Sequence, residues 1–258
     1  MTRGVVLKVF AGLAIVAGLA VAQASDERRS GFEFMSAALQ AMQEDETSNP
    51  GTLWVKDGES LWTTKAGADN RSCASCHGDA ATSMRGVAAR YPAFDEASGR
   101  PISLSGRINA CRTRHQNAPR LDRENDTLLA LEAFVGRQSR GLSIASPADA
   151  RLQPHRARGE ALFRQRMGQL DLSCAQCHDA NAGRRLAGSV IPQAHPTGYP
   201  IYRLEWQSVG SLARRVRGCM TGVRAEPFED DAPELVELEL YLKQRAAGLP
   251  VETPAVRP

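Results

Sequence analysis

Two short strings carry most of the chemistry in this sequence. Cys73-Ala74-Ser75-Cys76-His77 and Cys174-Ala175-Gln176-Cys177-His178 both read C-x-x-C-H. Two thiols three residues apart can form thioethers to the two vinyl groups of one porphyrin, and the adjacent histidine then offers a nitrogen to the iron. Zinc sites and thioredoxin-like redox pairs use related spacings. The chain lacks the βαβ pattern of the latter, and two copies of the motif point to two covalently bound haem c groups. Cys73, Cys76, Cys174 and Cys177 are then the attachment residues, with His77 and His178 as iron ligands. Two of the six cysteines, Cys111 and Cys219, are left over.

The motifs sit in matching surroundings. Gly58-Glu59-Ser60-Leu61-Trp62 precedes Cys73 as Gly159-Glu160-Ala161-Leu162-Phe163 precedes Cys174. Each reads as the start of an amphipathic helix leading into the motif. Downstream, Tyr91-Pro92 aligns with Ile191-Pro192, and Gly99-Arg100-Pro101-Ile102 with Gly198-Tyr199-Pro200-Ile201. Arg107-Ile108-Asn109-Ala110-Cys111 matches Arg215-Val216-Arg217-Gly218-Cys219, and LLALEAFV (128–135) matches LVELELYL (235–242), both with helical apolar spacing. The chain reads as a mainly α protein of two tandem cytochrome c-like domains related by internal duplication. Each unit is a helix, the C-x-x-C-H string, a long loop wrapping the haem, and a closing helix packed across the first.

A haem iron takes a second axial ligand unless the site is open. Met84, Met167 and Met220 have no methionine counterpart in the other copy, and His115, His155 and His195 are not paired by the repeat. The repeat does pair Cys111 with Cys219, where such a domain places its distal ligand. His77 with Cys111 and His178 with Cys219 are the expected ligand sets; a Cys111–Cys219 disulfide is the alternative. A thiolate donates strongly to ferric iron and lowers its potential relative to histidine–methionine ligation. Cys219 lies within RRVRGCMTGVRAEPF, among Arg214, Arg215, Arg217 and Arg224. Positive charge keeps a cysteine as thiolate, although arginines also neutralise haem propionates.

The second copy reads as the expanded one. Pro101 to Cys111 is ten residues and Pro200 to Cys219 nineteen, with YRLEWQSVG among the extra residues. Arg224 stands where the first copy has Gln116. Loops added to one copy of a duplicated scaffold are where function tends to be added.

The ends bound the compartment. Arg3 and Lys8, the apolar run VFAGLAIVAGLAVA and Ala22-Gln23-Ala24 read as a signal peptide over 1–24. No later segment is apolar enough to span a bilayer, so a soluble periplasmic protein is expected. The chain has 32 basic and 29 acidic residues, and removal of Arg3 and Lys8 leaves it close to neutral. That balance argues against nucleic-acid binding. Residues 25–53 read as an N-terminal extension lying over the first domain or against a partner. Residues 54–139 are the first domain, 140–151 a linker, 152–249 the second domain, and 250–258 a C-terminal tail.

With two C-x-x-C-H strings, a distal cysteine in each unit and the arginine-flanked V-R-A-E-P-F segment, the sequence resembles the SoxA family over essentially the whole exported chain. That resemblance implies the dihaem subunit of SoxAX, an L-cysteine S-thiosulfotransferase. It implies joining thiosulfate to a cysteine thiol of a SoxYZ-type carrier, with electrons passing to a SoxX-type monohaem cytochrome c in a heterodimer. The family's reacting haem is that of the second domain, where the distal cysteine, here Cys219, can carry an extra sulfur as a persulfide. Arg215 matches the family's substrate-facing arginine, and the first haem resembles a structural or vestigial group. On charge alone, Arg215 and Arg224 can hold a thiosulfate dianion near Cys219, although Arg215 has a counterpart in Arg107. Two other functions use the same residues: a non-catalytic dihaem electron-transfer cytochrome, and a thiosulfate dehydrogenase forming tetrathionate.

Overall fold

The computed structural model describes Met1 and residues 27–258, so the leader read at 1–24 lies, Met1 aside, outside the described residues. A short helix, α1 (Ala37–Glu44), precedes the first copy. That copy comprises α2 (Thr52–Thr63), α3 (Ala74–His77), α4 (Ala80–Ser83), the strands β1 (Ala93–Asp95) and β2 (Arg100–Ile102), α5 (Leu104–His115) and α6 (Asp126–Arg137). The second comprises α7 (Gln153–Arg164), α8 (Cys174–His178), β3 (Arg185–Leu186), β4 (Ser189–Val190), β5 (Ile201–Arg203), β6 (Ser208–Gly210), α9 (Leu212–Gly222) and α10 (Pro233–Arg245), with β7 (Ala255–Arg257) closing the chain. The architecture is mainly helical and duplicated, as the sequence predicts.

The frame of each copy is a helix crossing set by one glycine. α2 packs on α6 and α7 on α10. A Cβ on Gly58 would lie 2.1 Å from the Ala130 carbonyl oxygen, and one on Gly159 would lie 2.1 Å from that of Glu237. Any side chain there forces the helices apart. One turn on, Trp62 meets Phe134 at 5.8 Å and Phe163 meets Tyr241 at 5.5 Å between ring centroids. The repeated G-E-x-L-aromatic string is thus a packing device. α6 buries Leu128 to Leu131 and Ala133 to Gly136, a helix apolar nearly all round and accordingly interior.

The sequence register between motif and distal cysteine needs correcting. Tyr91-Pro92 corresponds to Tyr199-Pro200, not to Ile191-Pro192. Each Tyr-Pro, with a cis peptide in both copies, leads into a three-residue strand, a four-residue turn and a second three-residue strand. A serine cap then opens the helix that bears the distal cysteine: Ser103 accepts from the Gly106 amide, and Ser211 from that of Arg214. From Tyr-Pro to the distal cysteine the copies therefore have equal length. The second copy's surplus lies earlier, between His178 and Tyr199, and carries the β3–β4 hairpin. YRLEWQSVG is no insertion; it is the β5–β6 hairpin.

The copies are closely tied. Residues 140–151, read as a linker, exchange backbone hydrogen bonds with 248–251: Gly141 N to Val251 O at 2.8 Å, Val251 N to Leu142 O at 2.9 Å, and Ile144 N to Leu249 O at 2.8 Å. Ile144 packs into a shared core with Ala89, Ala246 and Val251. Residues 250–258, read as a tail, supply β7, which pairs in parallel with β5 and makes the second hairpin three-stranded. The N-terminal extension runs chiefly along the second copy rather than the first. Gln43 Oε1 accepts from the Val256 amide at 3.0 Å, Asn49 Nδ2 donates to Pro254 O at 2.9 Å, and the Arg29 amide donates to Gln193 Oε1 at 2.6 Å. An unpaired strand edge at β7 gives it more to bond than the helical first copy does.

Candidate active site

Both C-x-x-C-H strings fold as single helical turns. In the first, the Ser75 amide donates to Ser72 Oγ and the Ser72 amide to Ser75 Oγ, each at 3.1 Å. In the second, Ser173 and Gln176 form a capping box, with the Gln176 amide on Ser173 Oγ at 3.2 Å and the Ser173 amide on Gln176 Oε1 at 2.8 Å. One turn puts residues i and i+3 on one face, so both thiols and the following histidine can meet a single planar group. No disulfide links any of the six cysteines, so none joins Cys111 to Cys219.

α5 and α9 bring the distal cysteine to the C-x-x-C pair of its own copy. Burial pushes the Cys73 thiol pKa up, and nearby Cys111 adds to it. Burial likewise raises Cys111, with Arg107 and Arg114 opposing and Cys76 adding. In the second copy Cys174 is pushed up to about 11, by burial first and then by Cys219. The two histidines are held differently. His178 Nδ1 lies 2.7 Å from the Pro192 carbonyl oxygen. A carbonyl only accepts, so Nδ1 carries the proton and Nε2 keeps its lone pair for a metal. Burial, then Arg215 and Arg245, pull the His178 pKa down against that bond, favouring neutral imidazole. His77 is exposed and stacks on Trp62 at 5.8 Å, whose indole N–H donates to Gly78 O at 2.9 Å.

The larger difference is in charge. In the first copy Arg107 bonds Asp95 at 2.8 Å and Arg114 bonds it at 3.2 Å, around a carboxylate only 2% exposed. Hydrogen bonds from Arg114 and Ser98 hold the Asp95 carboxyl well below the usual range. Burial pulls the Arg107 pKa down, but the Tyr91 hydroxyl and Asp95 outweigh it and raise it. In the second copy the position of Asp95 is taken by Arg203, since β1 and β5 share one register. Burial and the like charge of Arg215 pull the Arg203 pKa down, with Tyr199, Glu205 and Cys219 opposing. Tyr199 is pushed up by burial, with Arg215 and Arg203 opposing. Among the described residues, Arg215 makes no ion pair.

The other arginines near Cys219 are engaged or turned elsewhere. Arg214 lies over the Trp206 ring at 4.3 Å, and Arg217 pairs with Asp230. Arg224 follows the end of α9 in a left-handed conformation, φ 57°, matched by Asn117 at 50° rather than by Gln116. The backbone bonds that fix this register are Ala68 N to Asn117 O and Gln169 N to Arg224 O. Arg224 is exposed and lines a cavity with Leu162, Met167, Met220 and Phe228 in which Cys219 takes no part. His155 is bound to Glu237, and His195 lies 2.7 Å from Arg29 O.

The SoxA/TsdA cytochrome c domain model matches the chain twice, over 57–144 and 158–251. An L-cysteine S-thiosulfotransferase subunit SoxA from Pseudaminobacter salicylatoxidans is 38% identical over 90% of this chain and 82% of its own length. The chain belongs to the SoxA family. Its counterpart from Rhodovulum sulfidophilum is 35% identical over 90% of this chain and 81% of its own. The crystal structure of SoxXA from P. pantotrophus superposes with a TM-score of 0.86 at 31% identity, covering 90% of this chain and 87% of that one. A cytochrome c of this family carries covalently bound haem c, and the residues fit that group. Two thiols and a histidine share each helical turn, a further thiol on α5 or α9 lies near enough to act on the first of them, and His178 is preset with its metal-binding nitrogen free. Sequence reasoning missed Pro192 as the partner of His178, and it missed Asp95 and Arg203. Registering the copies on Tyr91-Pro92 and Tyr199-Pro200 would have exposed the aspartate-to-arginine exchange.

Proposed function

We propose that this chain is the dihaem SoxA-type subunit of an L-cysteine S-thiosulfotransferase. It joins thiosulfate to a cysteine thiol on a SoxYZ-type carrier and forms a heterodimer with a SoxX-type monohaem cytochrome c. Haem c would be held covalently by Cys73 and Cys76, with His77 and Cys111 to ligate its iron, and by Cys174 and Cys177, with His178 and Cys219 to do the same. The first domain spans 54–139 and the second 152–249. The protein works in the periplasm; no helix among the described residues is long and apolar enough to cross a membrane.

The reaction forms a bond between the carrier sulfur and the outer sulfur of thiosulfate. The thiol proton is released and two electrons leave. Bound haem supplies the outlet for those electrons. The protein must bring a dianion to an electron-rich sulfur and hold it there. Arg215, one helical turn before Cys219, supplies positive charge without a competing carboxylate. Cys219 is the sulfur carrier, able to hold an extra sulfur as a persulfide. Arg224, exposed just past the end of α9, adds long-range attraction for an incoming dianion. The observation that carries this function is that the buried carboxylate engaging Arg107 in the first copy is replaced by Arg203 beside Arg215 in the second, in a chain whose SoxA relative matches 90% of it.

The test is turnover of the haem-loaded heterodimer with thiosulfate and an electron acceptor, with the carrier thiol free or alkylated. Acceptor reduction with the free thiol only, and a carrier heavier by one thiosulfate unit, is the expected result. Equal reduction with alkylated carrier, with tetrathionate as product, would make the chain a thiosulfate dehydrogenase. Electron exchange without sulfur chemistry would leave a dihaem electron carrier.

A further inference from the structure

We propose that Arg203 joins Arg215 to form the anion-recognition pair of the second copy, a double guanidinium clamp for the sulfonate end of thiosulfate beside Cys219. This rests on the function proposed above. Arg203 is a positioning residue in that scheme: it fixes the dianion while Cys219 does the sulfur chemistry.

Four observations lead there. The two copies share one hairpin, and at one register position the first has Asp95, which occupies its own Arg107 and Arg114, while the second has Arg203. Replacing the buried carboxylate by a cation leaves Arg215 without an ion-pair partner among the described residues and Arg203 with only the exposed Glu205. Second, the Arg203 side chain is only 11% exposed, and its buried Nε has no hydrogen-bond partner. A buried donor without a partner is costly. Its one carboxylate neighbour is Glu205, at 2.9 Å and itself 62% exposed. Third, the guanidinium is braced. It lies 5.2 Å from the centroid of Trp206, the ring that Arg214 also covers, and its strand is flanked by β6 and β7. Its register neighbour on β7, Arg257, is already satisfied by Glu252 at 2.5 Å. Fourth, burial and the nearby charge of Arg215 both disfavour a bare cation at Arg203, the condition that an incoming dianion relieves. A sulfonate offers three oxygens, which suits two forked guanidiniums. A haem propionate offers the same oxyanion chemistry from another source, and the experiment separates the two.

The variants are Arg203→Asp, which imports the charge of the first copy, and Arg203→Lys, which keeps charge and bulk. Each is studied as the haem-loaded heterodimer by thiosulfate titration calorimetry, haem-to-protein ratio, absorption spectrum and steady-state kinetics. Arg203→Asp is expected to weaken thiosulfate binding by about 100-fold, and Arg203→Lys by about 10-fold. KM should rise in parallel while haem content and spectrum stay those of the wild type. Thiosulfate affinity within twofold of wild type in either variant overturns the clamp. So does unchanged affinity with lost haem or a shifted spectrum, which assigns Arg203 to a propionate. If Arg203→Asp fails to fold, Arg203→Lys decides by the same affinity criterion. Weakened binding in a protein that conjugates nothing to the carrier would uphold the clamp and refute the conjugation function, so the two can fail separately.

Discussion

Around the distal cysteine the two copies use one frame and opposite charges. In the first, Tyr91, Arg107, Arg114 and Asp95 close on one another around a buried carboxylate. In the second, Tyr199, Arg215 and Arg203 leave positive charge without a buried counterion. The histidines follow the same division. His178 is partly buried and oriented by a carbonyl from the longer loop of its copy, whereas His77 is exposed against an indole. The two copies thus differ in charge through the exchange of a few side chains, with the helices untouched. The exchange has a physical cost: like charges brought together without a buried counterion weaken a fold unless an anion joins them.

The comparison breaks most clearly at the cysteines. Cys219→Ala is expected to abolish conjugation, a loss of at least about 1,000-fold. Cys111→Ala, measured on fully haem-loaded protein, should keep activity within about fivefold and instead lower the melting temperature. Equal loss in both would erase the proposed division of labour. The next largest contrast is between equivalent arginines. Arg215→Ala should lower kcat/KM by about 100-fold or more, while Arg107→Ala costs about 1–2 kcal/mol of stability and little rate.

Asp95 sharpens the comparison through pH. Its carboxyl is held well below the usual range, so it stabilises the fold fully above the unfolded aspartate pKa of about 4. That contribution is lost as pH falls through its own lower value. Asp95→Asn should therefore cost about 1–2 kcal/mol at pH 7, reduced from the fully buried case because Arg107 and Arg114 are partly exposed. The difference from wild type should narrow as calorimetry is repeated toward pH 2. A gap that widens on acidification would contradict the sign. The smallest effect belongs to Arg224. Arg224→Gly suits the left-handed backbone and removes only the charge. It should change kcat/KM by less than about threefold, and only at low salt.

Much of the frame was legible because it depends on local strings that recur. C-x-x-C-H, the glycine and aromatic of G-E-x-L-aromatic, and the paired Cys111 and Cys219 each read the same way alone or in context. What failed was register. Gly99-x-Pro101-Ile102 and Gly198-x-Pro200-Ile201 coincide as letters, but the conserved geometry is a hairpin beginning after Tyr-Pro and ending at a capping serine. Aligning the wrong prolines shifted the hairpin by nine residues and hid Asp95 opposite Arg203. The bond from His178 to Pro192 and the pairing of β7 with β5 join residues far apart in sequence, and neither strand is long enough to announce itself. The extension's course was hidden for the same reason: its hydrogen bonds run chiefly to 193, 245–247 and 254–257, while Arg137 of the first copy pairs with Glu46.

The central claim is that the sulfur chemistry resides at Cys219 and not at Cys111. Mass spectrometry of unreduced peptides, from heterodimer purified without thiols and exposed to thiosulfate, tests it directly. The account predicts the Cys219 peptide heavier by one sulfur or by a thiosulfate-derived group, and the Cys111 peptide unmodified. Equal modification of both, or a cross-link between them, would contradict it.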